Sequence, residues 1–122
     1  MISSYRDVTM CSEPNVSFRQ LEELSDFLKA LSGETRQQIL MVFACSGDER
    51  TVNEIAAELG IGQSTASENL TALRKTGILQ SRREGKTVYY WPNRSRALFL
   101  VDELRRYLET CCPDHPEQGV RP

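Results

Sequence analysis

One segment, Thr51 to Trp91, constrains the fold of this chain more than any other. It begins with an amphipathic helix pattern, continues through a tight turn marked by Gly60 and Gly62, and then has a second helix pattern that ends at Gly77. Two short alternating strands follow, and the tip between them is basic and contains Gly85. Two helices joined by a tight turn and followed by a basic β-hairpin are the layout of a winged helix-turn-helix, which binds duplex DNA.

Helix patterns flank this segment on both sides. Apolar residues recur every three or four positions between Phe18 and Leu31 and again between Arg94 and about Cys112, and a shorter helix is predicted from Thr35 to Ala44. We therefore predict a mainly α fold with a small β-hairpin, with about five helices plus a two-stranded wing. The winged helix DNA-binding and dimerisation domain is expected to span 18–112, between a flexible N-terminal arm (1–17) and a disordered tail (113–122).

The positive charge is concentrated in the predicted DNA-binding segment, although the chain as a whole is acidic. Between Gly60 and Arg96 there are seven Lys and Arg side chains against two Glu, a balance of +5, so the rest of a chain with net charge −2 carries −7. The acidity of the rest of the chain weakens nonspecific DNA affinity, but it does not exclude DNA binding by the basic segment. Because no apolar run approaches the ~18 residues of a membrane span and the N-terminus lacks a signal-peptide core, we predict a cytoplasmic protein without a membrane partner.

The second helix of the segment is the predicted recognition helix, and small polar side chains occupy its N-terminal end. Such residues can reach base edges in the major groove, where each base pair has a distinct pattern of donors and acceptors. Alternative roles stay open for Ser64 as the helix N-cap and for Glu68 as a solvated charge. The cations at the end of the helix and in the wing fit phosphate or minor-groove contact, and a solvated hairpin tip is the alternative for the wing. The candidate DNA-binding residues are Gln63, Ser64, Thr65, Ser67, Glu68, Arg74, Lys75, Arg82, Arg83 and Lys86.

Three stretches together resemble the ArsR/SmtB family of metal- and metalloid-responsive repressors. They are LKALSGETRQQIL from Leu28, TVNEIAAELGIGQSTASENLTALRKTGIL from Thr51, and REGKTVYYW, which ends at Trp91; the resemblance spans roughly Leu24 to Tyr107. It implies a homodimer with the first and last helices at its interface, which binds a two-fold operator in double-stranded DNA and is released by an inducer. It implies no enzymatic activity and no required cofactor.

Two of the ligand sites that recur in this family lack their residues here. The first helix of the helix-turn-helix has Thr51, Asn53 and Ala56, whereas the arsenic and cadmium type of the family has cysteines on that helix. The last helix has Asp102 but no histidine, whereas the zinc, nickel or cobalt type uses Asp, His and Glu ligands there. The cysteines of the chain are therefore the remaining candidates for the sensor.

The four cysteines are expected to be reduced thiols in the cytoplasm. Cys111 and Cys112 are adjacent, and some family members have a vicinal pair late in the last helix for arsenic. Because soft thiolates select thiophilic ions, we expect arsenite, antimonite or a methylated arsenical as the inducer. Cys11 or Cys45 is the candidate for a third ligand.

Other roles for these thiols stay open. Cys45 with Cys111 or Cys112 resembles the arrangement of family members that sense redox or persulfide species through a cysteine on the second helix and one on the last. Cadmium, lead or mercury could bind the same thiolates, with His115 as a further ligand, and Cys45 could instead pack as a small apolar residue. A ligand-independent DNA-binding module is another alternative. A dithiol reductase is disfavoured, because the chain has no thioredoxin-type cysteine pair and no cofactor motif.

Overall fold

The computed structural model describes residues 18–111, which form five helices and three strands. In chain order the elements are α1 (Phe18–Ala30), α2 (Glu34–Ser46), β1 (Arg50–Thr51), α3 (Val52–Leu59), α4 (Gln63–Thr76), β2 (Leu79–Glu84), β3 (Thr87–Pro92) and α5 (Arg94–Cys111). The predicted mainly α fold with a winged helix-turn-helix is confirmed. The predicted arm (1–17) and tail (113–122) lie outside the described residues, as do Cys11, Cys112 and the side chain of Cys111.

The strands form one antiparallel sheet in the order β1-β3-β2. The wing consists of β2 and β3, which pair from Leu79 opposite Pro92 to Glu84 opposite Thr87. The chain reverses between them at Gly85, whose φ of +63° is a left-handed conformation that favours glycine. On the other edge of β3, the two residues of β1 pair with Tyr90 and Tyr89. This third strand was not predicted, because two residues are too few to leave an alternating pattern in the sequence.

The core is built around the buried side of α4. Ala66, Leu70 and Leu73 of this helix are fully buried, as their four-and-three spacing predicted. Each buried Leu side chain contributes roughly 1.5–3 kcal/mol relative to an exposed one, so the packing fixes how α4 is rotated on the body. The side chains that complete the core cluster are Phe27, Ala30, Ile39, Val42, Phe43, Ile55, Ala56, Ile78, Leu79, Tyr90 and Leu100. Val52, Leu59 and Leu40 occupy apolar positions of the helix patterns but are only half-buried at the margin of the core.

Glycines mark both ends of the short turn between α3 and α4, and a capping box begins α3. Thr51 begins α3 with a capping box, in which its Oγ1 accepts from the Glu54 N–H (3.1 Å) and its N–H donates to Glu54 Oε1 (2.9 Å). Gly60 ends α3 at φ +67°, and Gly62 is the N-cap of α4. The alternative role of Ser64 as the N-cap is wrong, because Gly62 is the last residue with an extended backbone and Ser64 already lies in the first helical turn.

The last helix, α5, has apolar side chains on both its inner and its outer side. Leu100 is buried against the core, whereas Leu98, Val101 and Leu108 are 52%, 48% and 48% exposed. Their spacing of three and seven residues aligns them along one side of the helix. No helix within residues 18–111 has the length and apolar character needed to span a membrane.

Candidate nucleic-acid interface

A groove of about 350 Å³ lies between the N-terminal end of α4 and the wing. It is lined by Thr51, Val52, Asn53, Gln63, Ser64, Ser67, Lys86, Thr87 and Val88. Four of the predicted DNA-binding residues therefore meet in one groove, although Lys86 is far from the other three along the chain. Sequence reasoning missed Asn53 and Thr87, because polar residues at a helix start and a strand start carry no distinguishing pattern.

The N-terminal turn of α4 presents both side chains and backbone donors to this groove. Gln63, Ser64 and Thr65 are exposed, as is Glu68 one turn later, and Ser67 is half-buried. The N-cap Gly62 has no side chain that could accept from the first backbone N–H groups, which have no acceptor within the helix. Unpaired N–H groups and the helix dipole make such an end favourable for phosphate or for acceptor groups on bases.

A hydrogen-bonded arginine holds the middle of α4 to α1 and α2. Arg36 on α2 donates from Nε to Asn69 Oδ1 (2.9 Å) and from Nη1 to the carbonyl oxygen of Lys29 (3.1 Å). Asn69 in turn donates from Nδ2 to the Thr65 carbonyl oxygen (2.8 Å). This network links the recognition helix to the body one turn beyond its base-facing residues, and sequence reasoning did not find it.

The two neighbouring arginines of the wing lie on opposite faces of the sheet. Residues that pair across antiparallel strands share a face, and successive residues alternate between faces. Arg83 pairs with Val88 and shares its face with the buried Leu79 and Tyr90, so it lies on the side of the wing that is turned toward the helices. Arg82 pairs with Tyr89 and therefore lies on the side that is turned away from them.

Arg82 is held by two carboxylates and two aromatic rings. Its Nη1 donates to Glu49 Oε2 (2.6 Å) and its Nε donates to Glu84 Oε2 (2.9 Å). These hydrogen bonds, the one to Glu49 first, raise the pKa of Arg82 above its ordinary value. The guanidinium also lies over the Tyr89 ring at 4.7 Å and near the Trp91 ring at 6.0 Å.

The other predicted cations have no such partners among residues 18–111. Arg74 and Lys75 are exposed in the last turn of α4, and Arg83 and Lys86 are exposed in the wing. Within residues 18–111 none of the four forms an ion pair with a carboxylate. Their charges are therefore available to an external anion, whereas that of Arg82 is already matched within the protein.

Comparison with known proteins identifies the family. Residues 33–81 match the family model described as bacterial regulatory protein, arsR family. The chain is also 32% identical over 108 residues to the biofilm growth-associated repressor of Xylella fastidiosa (strain Temecula1), covering 85% of this chain and 90% of the relative. The chain belongs to the ArsR family.

Two further similarities concern the fold and the range of functions of ArsR-family proteins. The homodimeric winged helix-turn-helix DNA-binding domain (fragment 1–100) from Mycobacterium bovis, solved by NMR, is 33% identical, with a TM-score of 0.58 over 84% of this chain and 99% of that one. The cadmium resistance transcriptional regulatory protein CadC of Listeria innocua is 34% identical over 79 residues, 65% of this chain and 66% of that protein. This ArsR-family chain is thus a DNA-binding transcriptional regulator and not an enzyme.

Among residues 18–111 of this ArsR-family protein, Cys45 is the cysteine whose side chain the structure describes, and it lies at the surface. Cys45 is an exposed free thiol in the last turn of α2, so the alternative that it packs as a small apolar residue is wrong. Cys111 is the last residue of α5. In the part of the chain that the structure describes, no three His, Cys, Asp or Glu side chains are grouped as metal ligands.

Proposed function

We propose that this ArsR-family protein is a homodimeric repressor that binds a two-fold operator and is released when an inducer reacts with its cysteine thiolates. The observation that carries the DNA-binding part is the groove at the start of α4. There the polar end of the recognition helix and the wing residue Lys86 face one space. A major groove is about 12 Å wide and accepts a helix, while the adjoining phosphates can be contacted by groups beside it.

Distinct groups in this interface would have distinct roles. Gln63, Ser64 and Thr65, with Ser67 and Glu68 behind them, are our candidates for base contacts, because they occupy the exposed start of α4. The unpaired cations are our candidates for phosphate contacts; they are Arg74, Lys75, Arg83 and Lys86. Phosphate contacts supply salt-dependent affinity, whereas base contacts supply sequence preference.

The exposed apolar side of α5 supports the homodimer. Leu98, Val101 and Leu108 are about half exposed on a helix whose only buried side chain among the described residues is Leu100, and Leu28 of α1 is 47% exposed. Contiguous apolar surface of this kind mostly marks an interface. In a two-fold dimer the two α4 helices would enter successive major grooves, about 34 Å apart. The homodimeric M. bovis domain supports the same assembly.

Trivalent arsenic or antimony is the inducer that we propose first. Each thiol that binds arsenite displaces one hydroxide ligand and releases one water, so Cys111 and Cys112 would supply two sulfurs and Cys45 or Cys11 a third. Because Cys111 ends α5, an adduct there would act on the helix that carries the apolar side. Binding would favour release only if the adduct is more stable in the conformation that binds DNA poorly.

Oxidation is the second candidate, and the exposure of Cys45 favours it. An exposed thiol is accessible to an oxidant or an organic persulfide, and a disulfide between Cys45 and Cys111 or Cys112 would release two protons and pass two electrons to that oxidant. Cadmium, lead or mercury remains a third possibility for the same thiolates, which the similarity to the Listeria innocua protein supports.

One experiment separates these inducers. An operator is first selected from a random duplex library with the reduced protein, and binding to it is then titrated with arsenite, methylarsenite, cadmium and an organic persulfide. The same titrations are made with Cys111→Ser, Cys112→Ser and Cys45→Ser. Release by arsenicals that Cys111→Ser or Cys112→Ser abolishes supports the first candidate, and release by persulfide alone that Cys45→Ser abolishes supports the second.

The DNA-binding part has its own test in the salt dependence of operator binding. Each phosphate contact contributes about 0.9 to the slope of log affinity against log salt, so Arg83→Ala should lower the slope of a dimer with two wings by about 1.8. Between ~50 and ~200 mM salt the variant would then lose about 12-fold less affinity than the wild type. An unchanged slope for both Arg83→Ala and Lys86→Ala would contradict the proposed phosphate contacts.

A further inference from the structure

The face of the wing that is turned away from the helices carries one cluster that the proposed DNA contacts do not use. Arg82 is its centre, between Glu49 of the loop before β1 and Glu84 of β2. Glu49 belongs to the body of the protein and is separated from Arg82 by 33 positions. The ion pair therefore joins the wing to the segment that follows α2.

Charge in this cluster disfavours a phosphate. The single positive charge of Arg82 lies within 3 Å of two carboxylates, at 2.6 and 2.9 Å, so the three side chains together carry −1. A phosphate that approached the guanidinium would meet both carboxylates as well, and like charges at such distances repel. Arg83, on the opposite face, has no carboxylate partner among residues 18–111.

The geometry of the cluster suits a fixed contact, or joint, between the wing and the loop before β1. Isolated exposed ion pairs contribute little, because two long side chains must be ordered to form one contact. Here a single planar guanidinium contacts two carboxylates through different nitrogen atoms and is also stacked over Tyr89. Trp91 extends the aromatic surface, and its Nε1–H donates to Gln80 Oε1 (3.0 Å) on the facing strand. A lysine could not make the same set of contacts, because its ammonium is a point charge without a planar fork.

We propose that Arg82 is a positioning residue and not a DNA contact. Through Glu49 it holds the wing against the loop that follows α2, and so sets the position from which Arg83 and Lys86 reach the phosphates. This inference rests on the proposed function and assigns a different role to one of the cations predicted to bind DNA. It also makes Glu49, an acidic residue outside the helix-turn-helix, a determinant of operator affinity.

Salt titrations of Arg82→Ala and its neighbour Arg83→Ala test the proposal on the full chain. We expect Arg82→Ala to weaken operator binding about 3-fold for each wing, hence about 10-fold for the dimer, a loss in keeping with exposed ion pairs. Its salt slope should equal that of the wild type, whereas Arg83→Ala should lower the slope by about 1.8. A slope lowered by Arg82→Ala as much as by Arg83→Ala would overturn the inference and leave the proposed function intact.

Removal of the Glu49 carboxylate should change operator affinity in opposite directions, depending on whether Arg82 contacts phosphate or positions the wing. If Glu49 only masks a phosphate-binding arginine, Glu49→Ala should tighten binding and raise the salt slope. If Glu49 is instead the partner of Arg82 in the joint, Glu49→Ala should weaken operator binding about as much as Arg82→Ala. The double variant should then bind no more weakly than either single variant. Asp48→Ala is the matched control, since it removes a neighbouring exposed carboxylate that has no ion pair within the described residues. Tighter binding by Glu49→Ala, or equal effects of Glu49→Ala and Asp48→Ala, would overturn the proposal.

The tryptophan gives a readout that does not depend on DNA. Trp91 is the only tryptophan of the chain, so its fluorescence reports on this cluster alone. Arg82→Ala, Arg82→Lys and Glu49→Ala should each change its emission, while Arg83→Ala should leave it as in the wild type. If none of the three variants changes the emission, the joint does not exist in solution. If the wild type shows no salt-dependent operator binding at all, the proposed function fails instead.

Discussion

Gly77→Ala probes the junction between the recognition helix and the wing. Gly77 ends α4 at φ +91°, and a Cβ added there would lie 3.0 Å from Cγ and 3.1 Å from Nε of Arg96. Arg96 belongs to α5, and its Nε donates to the Thr76 carbonyl oxygen at 3.3 Å. The substitution therefore strains the backbone and also displaces a side chain that links α5 to the end of α4.

The two effects have separate magnitudes. A left-handed conformation costs an L-residue roughly 1–2 kcal/mol. Displacement of Arg96 from Thr76 removes a hydrogen bond of a partly exposed charged group, for which about 0.5–1.5 kcal/mol is a suitable range. We therefore predict that Gly77→Ala lowers the free energy of unfolding by about 1.5–3.5 kcal/mol, a large part of the ~5–15 kcal/mol typical of a domain.

Equilibrium urea unfolding at one fixed protein concentration, followed by far-ultraviolet circular dichroism, measures this loss. Gly85→Ala is the matched control, because Gly85 has φ +63° but no atom within 4 Å of the added Cβ. Gly85→Ala should lower the free energy of unfolding only by the cost of the left-handed backbone conformation, about 1–2 kcal/mol. In an Arg96→Ala background the difference between the two glycine positions should disappear. Equal losses at both positions in the wild-type background would refute the reasoning about Arg96.

Three further predictions concern the cap of α3, the hold on α4 and the dimer. Thr51→Ala removes the hydroxyl that accepts from the Glu54 N–H and should lower the free energy of unfolding by about 1 kcal/mol in urea, whereas Thr51→Ser should keep this hydrogen bond and the stability. Arg36→Ala removes the hydrogen bond that links α2 to Asn69 of α4. It should lower operator affinity in a binding titration and lower the free energy of unfolding by about 1–2 kcal/mol. Full operator affinity in this variant would contradict the role of Arg36 in orienting α4. Val101→Glu places a charge on the exposed apolar side of α5 and should convert the dimer to monomer in sedimentation equilibrium, with at least ~10-fold weaker operator binding; an unchanged dimer would exclude this side as the interface.

Much of the fold could be predicted because its signals are local. The buried side of α4 follows from the spacing of Ala66, Leu70 and Leu73, and α4 ends at Gly77, with φ +91°, where the helix pattern predicts its end. Local signals were weaker where two assignments compete at one helix start. Ser64 is a good N-cap residue in general, but α4 begins earlier, after Gly62, so its hydroxyl remains in the groove instead of capping the helix.

For the candidate site, periodicity and glycine positions in the sequence predict which residue types stand at the start of the recognition helix and in the wing, because these patterns fix local conformation. Which partners those residues meet depends on the tertiary structure. Arg82 and Arg83 are adjacent and chemically identical, yet the pairing register separates their faces and only Arg82 meets Glu49. The exposure of Cys45 likewise depends on which side of α2 the other helices cover. Contacts between distant parts of a chain depend on how its elements pack, and no local pattern encodes them.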